Sequence, residues 1–176
     1  MEHKEAFAVW ITGLPASGKS TVTAALIAQL AARGVDAAVL ESDELRKIFS
    51  IHPRYDEEER DQFYFQMAWI GELLVRHGVP VIFDATANRR VYRDRVRQKI
   101  ARFIEVFVDV PLETCMARDP KGIYRSARAG GSATVPGLQA AYETPEAPEV
   151  VIHGEGPENA ARLILRKLAE KGYLHS

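Results

Sequence analysis

The sequence predicts a three-layer α/β domain over residues 1–176, with a five-stranded parallel sheet between two layers of helices. Five short runs of apolar, largely β-branched residues are spread along the chain. Their near-continuous hydrophobicity is typical of parallel strands that are buried on both faces. Amphipathic runs with apolar residues at 3- and 4-residue spacing lie between them. Because strand and helix patterns alternate, we expect helices on both faces of the sheet.

The predicted strands are FAVWIT, DAAVLE, VPVIFDA, FIEVFVDV and EVVIH, at residues 7–12, 36–41, 79–85, 103–110 and 149–153. Three helical runs end in Gly34, Gly78 and Gly172, and glycine commonly follows a helix because it readily adopts a left-handed backbone. The second helical run begins with acidic residues, which favour a helix N-terminus. The predicted helices cover residues 20–34, 56–78, 88–102 and 156–172.

One segment, residues 119–148, interrupts the alternation of strand and helix. It is rich in glycine, proline, alanine and basic residues, and it is too long for a simple connection. Long loops of this kind usually carry function, so the segment is predicted to be a lid.

Composition limits the classes of partner. The net charge is −1, so no overall field favours nucleic acid or a membrane surface, and we expect a small-molecule partner. No segment approaches the roughly 18 to 20 apolar residues of a membrane span, and the first residues do not resemble a secretory signal. The single cysteine, Cys115, cannot form an intramolecular disulfide, which favours a reducing compartment and a cytoplasmic protein.

Several conspicuous residues are predicted to be structural. Cys115, Trp10 and Trp69 lie in apolar patterns and are expected in the core. The basic run from Arg89 to Arg102 is expected to form a solvated helix face. Arg89 and Arg90, the first two residues of this run, follow a predicted strand end, so one of them is a candidate to bind an anion of the acceptor.

The stretch GLPASGKS, residues 13–20, fits the phosphate-loop pattern G-x-x-x-x-G-K-[ST] between a predicted strand and a predicted helix. Glycines let successive backbone N–H groups turn toward one anion, and the helix N-terminus adds its positive dipole end. Lys19 supplies a charge for the β- and γ-phosphates, and the Ser20 hydroxyl is a ligand for Mg²⁺. The pattern predicts a bound nucleoside triphosphate, and the predicted binding residues are Gly13, Ala16, Ser17, Gly18, Lys19, Ser20 and Thr21.

The stretch LESDELRKIF, residues 40–49, predicts the acceptor side of the site. Glu41 and Asp43 lie at the carboxyl end of a strand, where open α/β sheets place their ligands. Either carboxylate can accept a proton from a hydroxyl group or hold Mg²⁺. The structural alternative is a helix cap formed by Ser42 or Asp43. A small domain with a lid favours a metabolite kinase, because closure excludes water during phosphoryl transfer.

Three stretches resemble the adenylylsulfate kinase (APS kinase) family. The most specific is RDPKGIYRSARAG at residues 118–130. GLPASGKST at 13–21 and YETPEAPEVVI at 142–152 are also similar, and the likeness runs from about residue 8 to 170. The resemblance implies a P-loop kinase fold and transfer of the γ-phosphoryl group of MgATP to the 3′-hydroxyl of adenosine 5′-phosphosulfate. Homodimers are common in this family.

The resemblance also implies roles for particular residues. Glu41 and Asp43 would serve the metal and the acceptor hydroxyl, with Asp43 as the base. Arg46 and Arg60 would hold the phosphosulfate, because a planar guanidinium suits sulfate and phosphate oxygens. Tyr55 would stack on the acceptor adenine. Lys121, Tyr124 and Arg128 match lid residues, and Arg118 would lie against the adenine of ATP.

Each of these assignments has a structural alternative. Arg46 and Arg60 fit solvated positions on a helix, and Tyr55 fits an aromatic that packs a loop. Arg118 fits an ion-pair partner for Asp119.

The chain departs from the family at three points on the acceptor side. Phe63 stands where asparagine is usual, and Val135 stands where the lid carries phenylalanine. FDATANRR replaces a serine-containing run, and its Asp84 is a candidate base, a second acid for Mg²⁺, or a cap for the helix after Asn88. A kinase for another anionic hydroxyl compound, such as a sugar phosphate or nucleotide derivative, and a non-catalytic nucleotide-binding module are the alternatives. The predicted catalytic residues are Lys19, Asp43 and Asp84.

Overall fold

The computed structural model describes residues 6–50, 52–131 and 134–174. Its strands are β1 (Ala8–Thr12), β2 (Ala38–Glu41), β3 (Val81–Asp84), β4 (Phe103–Val108) and β5 (Val150–Ile152). They form one sheet in the order β2-β3-β1-β4-β5, and every pairing is parallel. Each strand lies within the residues predicted for it, which confirms the five-stranded parallel sheet.

The helices are α1 (Lys19–Ala31), α2 (Ser42–Phe49), α3 (Glu57–Arg76), α4 (Arg90–Lys99), α5 (Leu112–Arg118), α6 (Ile123–Arg128) and α7 (Pro157–Glu170). The four predicted helices correspond to α1, α3, α4 and α7, with ends that differ by a few residues. The short helix α6 lies inside the predicted lid, of which residues 132–133 fall outside the described residues. Within the described ranges, no helix has both the length and the apolar character needed to cross a bilayer.

Helices cover both faces of the sheet, as the alternation predicts. On one face, Leu26 of α1 and Ile164 of α7 share a buried cluster with Ile11 of β1. On the other face, Met67 of α3 and Val96 of α4 belong to a second buried cluster. Three layers result, and the carboxyl ends of the parallel strands open at one edge of the sheet.

The two tryptophans have opposite environments. Trp10 is fully buried, stacks on Phe83 with ring centroids 4.6 Å apart, and donates from Nε1 to the carbonyl of Ala85 at 3.1 Å. Trp69 is 50% exposed, so the prediction of a core position is wrong for it. Met67 lies on the buried face of α3, and two further residues rotate the helix by about 200°, which turns Trp69 outward.

The basic run on α4 is only partly solvated. Arg93 is 1% exposed, and its Nε donates to Oε1 of Glu105 on β4 at 2.6 Å, so the predicted solvated face is wrong at this residue. An acidic residue inside the apolar run FIEVFVDV was the available sequence signal, since a buried carboxylate requires a partner. Cys115 on α5 is buried, as predicted.

Candidate active site

The phosphate loop, residues 13–20, joins the end of β1 to the start of α1. Gly13 lies close to neighbouring backbone: a Cβ there would stand 2.7 Å from the Val108 carbonyl oxygen. Gly18 has φ +99° in the left-handed region and is the N-cap of α1, where no side chain accepts from the exposed N–H groups. The loop therefore presents uncapped backbone donors at a helix N-terminus, which is the arrangement that binds phosphate.

The Lys19 side chain folds back over this loop. Its Nζ donates to the carbonyl oxygens of Gly13 at 3.2 Å and Leu14 at 2.9 Å. Burial lowers the pKa of Lys19, while the charges of Asp84 and Asp43 oppose that shift. The Lys19 ammonium group therefore lies over the phosphate loop, and the charges of two carboxylates favour its protonated form.

A cavity of about 400 Å³ opens beside the loop and is called the phosphate-loop cleft here. Its walls come from the loop and α1, from the carboxyl ends of β2 and β3, and from residues 118–121. The predicted nucleotide-binding residues that line it are Ala16, Gly18, Lys19, Ser20, Thr21 and Arg118. Two others do not: Gly13 packs against Val108, and Ser17 is buried with no hydrogen-bond partner for Oγ among the described residues.

Two acidic strand ends meet at this cleft. Glu41 ends β2 and Asp84 ends β3, and these residues are paired in register. Asp84 is 3% exposed and lines the cleft. The N-cap of α4 is Arg89, which makes no side-chain cap, so the predicted alternative that Asp84 caps this helix is wrong.

Glu41 performs the capping role that was predicted for its neighbours. Its carboxylate accepts from the backbone N–H groups of Asp43 at 3.3 Å and Glu44 at 3.0 Å. Burial is the main cause that raises the pKa of Glu41, and the charge of Asp43 adds to it. Because Glu41 caps α2, the Asp43 side chain is left available for the cleft.

Asp43 instead pairs with the lid. Lys121 Nζ donates to Asp43 Oδ2 at 2.5 Å, and this bond raises the pKa of Lys121. Both residues also line a second cavity of about 330 Å³, called the Arg46 cavity here. The Asp43–Lys121 pair therefore stands where the two cavities meet.

Arg46 and Tyr55 form one wall of the Arg46 cavity. Arg46 is 8% exposed, which excludes the predicted alternative of a solvated helix arginine. Its guanidinium carbon lies 4.0 Å from the ring centroid of Phe63 and 4.8 Å from that of Tyr55, both within cation–π range. Phe63 is buried and does not line the cavity, so its ring packs against the Arg46 guanidinium from the side of the core.

Arg60 is also 8% exposed and lines the cavity, but its donors are largely occupied. Nε donates to the Tyr55 carbonyl at 3.0 Å, Nη1 to Asn88 Oδ1 at 3.2 Å, and Nη2 to the carbonyl and Oγ1 of Thr134. These bonds use most of the five N–H groups of a guanidinium. Arg60 thus joins α3 to the lid, and its predicted contact with the acceptor anion stays a prediction.

The remaining lid residues are not equally close to the cavities. Tyr124 is buried and donates from its hydroxyl to the Pro15 carbonyl at 2.9 Å, and burial raises its pKa. Arg128 lies beside Met116, outside both cavities. Asp119 accepts from the backbone N–H groups of Tyr124 and Arg125, and no ion pair between described residues joins it to Arg118.

Two residues of the site were missed by sequence reasoning. Glu59 accepts hydrogen bonds from Arg46 and from the Tyr55 backbone. Asn88 holds Arg60 and donates from Nδ2 to the Ala141 carbonyl at 3.0 Å, which links the loop after β3 to the end of the lid. The acidic first turn of α3 carries a signal for Glu59, but acidic residues at that place are equally typical of any helix N-terminus.

The residues at the phosphate-loop cleft fit a bound Mg²⁺ ion. Ser20, Asp43 and Asp84 bring oxygen atoms to its wall. In the part of the chain that the structure describes, no three His, Cys, Asp or Glu side chains form a metal cage. One hydroxyl and two carboxylates suit Mg²⁺, because this ion is usually bound by one or two carboxylates together with substrate phosphates.

Comparison with known proteins identifies the family of this chain. A family model described as adenylylsulphate kinase matches residues 5–153. The adenylyl-sulfate kinase of Microcystis aeruginosa is 41% identical over 169 residues, covering 95% of this chain and 93% of the relative. The APS kinase CysC of Mycobacterium tuberculosis, solved in complex with AMPPNP and APS, has a TM-score of 0.88 at 30% identity and covers 94% of this chain and 98% of that chain.

A hexameric APS kinase from Thiobacillus denitrificans has a TM-score of 0.71 at 26% identity, with coverage of 98% of this chain and 30% of that chain. The family model spans most of the sequence, from β1 through the lid to β5. The chain therefore belongs to the adenylylsulphate kinase family.

Proposed function

We propose that this chain transfers the γ-phosphoryl group of ATP to the 3′-hydroxyl of adenosine 5′-phosphosulfate. The observation that carries the proposal is the meeting of two cavities at Asp43 and Lys121, one lined by the phosphate loop and one by Arg46 and Tyr55. Phosphoryl transfer requires donor and acceptor to be held in line, so two adjoining cavities with an acid at their junction support a kinase.

ATP occupies the phosphate-loop cleft in this proposal. Lys19 exchanges the Gly13 and Leu14 carbonyls for phosphate oxygens, and the uncapped N–H groups of α1 bind the same phosphates. Arg118 lines the cleft, which supports the proposal that it packs against the nucleotide base. Ser20, Asp43 and Asp84 would hold Mg²⁺, which when bound supplies charge neutralisation at the β- and γ-phosphates.

The acceptor occupies the Arg46 cavity. Arg46 binds its anionic groups, and the Tyr55 ring stacks on its base, a contact worth about 1–3 kcal/mol. Asp43, at the junction, accepts the proton of the acceptor hydroxyl once Lys121 has turned from it toward a substrate phosphate. The lid segment that carries Lys121 and Thr134 closes over both ligands and excludes water.

The test is ADP release from MgATP by the purified protein, with and without adenosine 5′-phosphosulfate. We expect strong stimulation and a 3′-phosphorylated product, and we expect Lys19→Ala to lower turnover by about 100- to 1,000-fold. ATP binding without stimulation would refute the proposed acceptor. A panel of anionic sugars and nucleotides would then identify another kinase substrate, and no turnover with any of them would indicate a non-catalytic module.

The two acids are distinguished by a pair of variants. Asp43→Asn should lower kcat even at saturating Mg²⁺, because this residue supplies the base as well as a metal ligand. Asp84→Asn should instead raise the Mg²⁺ concentration needed for half-maximal activity, because this side chain lines only the phosphate-loop cleft. If Asp43→Asn and Asp84→Asn change kcat and the Mg²⁺ requirement to the same extent, the two carboxylates share one role.

Self-association is part of the proposal. Phe65 and Trp69 are each 50% exposed on the outer face of α3, and large exposed apolar side chains support a protein contact. Light scattering of the purified chain should give the mass of a homodimer. A monomer mass would refute this part of the proposal without affecting the catalytic assignment.

A further inference from the structure

Glu59, in the first turn of α3, accepts hydrogen bonds from three separate donors. Its Oε1 accepts from Arg46 Nη1 at 3.0 Å and from Ser50 Oγ at 3.1 Å, and its Oε2 accepts from the Tyr55 backbone N–H at 2.5 Å. The Glu59 side chain is 14% exposed and that of Arg46 is 9% exposed. One carboxylate thus binds both α2, which carries Arg46, and the loop before α3, which carries Tyr55.

Two of the three partners of Glu59, Arg46 and Tyr55, are the residues that face the acceptor in the proposed function. Tyr55 has φ +59°, a left-handed conformation that is costly for a residue with a large side chain. The hydrogen bond from its N–H to Glu59 restrains this conformation, and Arg46 lies over the Tyr55 ring. Without Glu59, the Arg46 guanidinium would lose its ion-pair partner and the Tyr55 backbone N–H would lose its acceptor.

Glu59 itself does not line either cavity, so it acts through these neighbours. Burial alone would raise the pKa of Glu59, but hydrogen bonds from Tyr55 and Ser50 and the charge of Arg46 outweigh that effect and lower it. The Glu59 side chain is therefore an ionised carboxylate at neutral pH. Both of its oxygens accept hydrogen bonds, and it carries no proton to donate.

We infer that Glu59 is the positioning residue of the acceptor site: it holds Arg46 and Tyr55 in the geometry that recognises the anion and the base. This inference rests on the proposed function and adds a specificity-determining residue to it. No residue of the nucleotide-binding loop contacts Glu59 in the described part of the chain, so its influence is confined to the acceptor.

The decisive variant is Glu59→Gln, which keeps the side-chain size but replaces one acceptor oxygen by a donor nitrogen. The amide cannot accept from both sides, so either Arg46 or the Tyr55 N–H loses its partner. We expect the KM for adenosine 5′-phosphosulfate to rise by about 10- to 100-fold, the range for a lost hydrogen bond to a charged group. The KM for ATP should stay within about twofold of the wild type.

Two further variants separate positioning from general destabilisation. Glu58→Gln is the matched control, because the Glu58 side chain is 91% exposed and only approaches Arg54 at 3.9 Å, so its kinetics should equal the wild type. Glu59→Asp keeps the charge and should recover part of the lost acceptor affinity. Equal acceptor KM values for Glu59→Gln and Glu58→Gln, or a parallel rise in both substrates' KM values, would overturn the inference.

Amide hydrogen exchange at Tyr55 tests the same inference without an acceptor. Glu59→Gln should speed exchange of this N–H by about 10-fold or more, whereas Glu58→Gln should leave it unchanged. Unchanged exchange in Glu59→Gln would overturn the positioning role. Failure of the proposed function would appear separately, as a wild-type protein that is not stimulated by adenosine 5′-phosphosulfate.

Discussion

The buried ion pair between Arg93 and Glu105 offers a direct test of how α4 is attached to the sheet. Replacing Arg93 by methionine keeps a long side chain but removes the guanidinium. In the folded protein this guanidinium donates to Glu105 at 2.6 Å, to the Glu143 carbonyl at 2.7 Å and to the Ala87 carbonyl. The substitution therefore leaves a buried carboxylate and two backbone acceptors without their main donor.

The magnitude follows from burial. The side chains of Arg93 and Glu105 are 1% and 7% exposed, and removing one partner of such a pair costs about 3–5 kcal/mol. Arg97 Nη2 still reaches the other oxygen of Glu105 at 3.2 Å, which offsets part of the loss. We therefore expect Arg93→Met to lower the free energy of unfolding by about 3 kcal/mol, near the lower end of that range.

The same helix supplies the control. Arg95 pairs with Asp61 at the same N–O distance, 2.6 Å, but these side chains are 30% and 47% exposed. A solvated pair contributes about 0–1 kcal/mol, so Arg95→Met should cost at most that much. Urea unfolding followed by circular dichroism measures both values. Equal losses in the free energy of unfolding for the two variants would refute the reasoning, because burial would then not determine how much an ion pair stabilises the fold.

Three other predictions concern packing, pH and recognition. Gly71→Ala should lower the free energy of unfolding by about 1–3 kcal/mol in urea titrations, because its Cβ would lie 2.1 Å from Phe83 Cζ; an unchanged midpoint would contradict this. The second prediction concerns the pKa of Glu149. Burial alone would raise this pKa, but the hydrogen bonds that the carboxylate accepts from Arg97 and from the Glu105 backbone N–H lower it below its ordinary value of 4.5. Its stabilising effect is therefore present above that value and lost as the pH falls through the lower folded-state pKa, so Glu149→Gln should flatten the acid limb of the unfolding free energy against pH. A limb as steep as that of the wild type would count against it. Tyr55→Leu should raise the KM for adenosine 5′-phosphosulfate by about 10-fold through lost stacking and leave the KM for ATP unchanged, which steady-state kinetics would show; a shift in the KM for ATP would point to a folding defect instead.

The elements of the fold were predictable because their signals are local. A parallel strand buried on both faces is an apolar run, and all five runs became strands of one sheet. The error at Trp69 arose because an apolar residue in a helix does not by itself state which face it occupies. Arg93 was misassigned for the same reason: its partner Glu105 is on β4, outside the helix.

Part of the candidate site was also predictable because its signals are local. The phosphate loop is eight consecutive residues, 13–20. Its residue types and spacing determine its chemistry, so the sequence by itself predicts a nucleoside triphosphate as the ligand. The acidic ends of β2 and β3 were also predictable, because parallel strands bring their carboxyl ends to one edge.

Only the tertiary structure decided how the acceptor side is built. The Arg46 cavity takes residues from α2, from the loop before α3, from α3 and from the lid, and no spacing along the chain states which of their atoms meet. Contacts between distant parts of the chain decide three features of this cavity. Arg60 donates to Asn88 and Thr134, and Phe63 is buried beneath Arg46. Glu59 accepts from both Arg46 and Tyr55. Side-chain hydrogen bonds act over about 3 Å in space, whereas the sequence records only order along the chain.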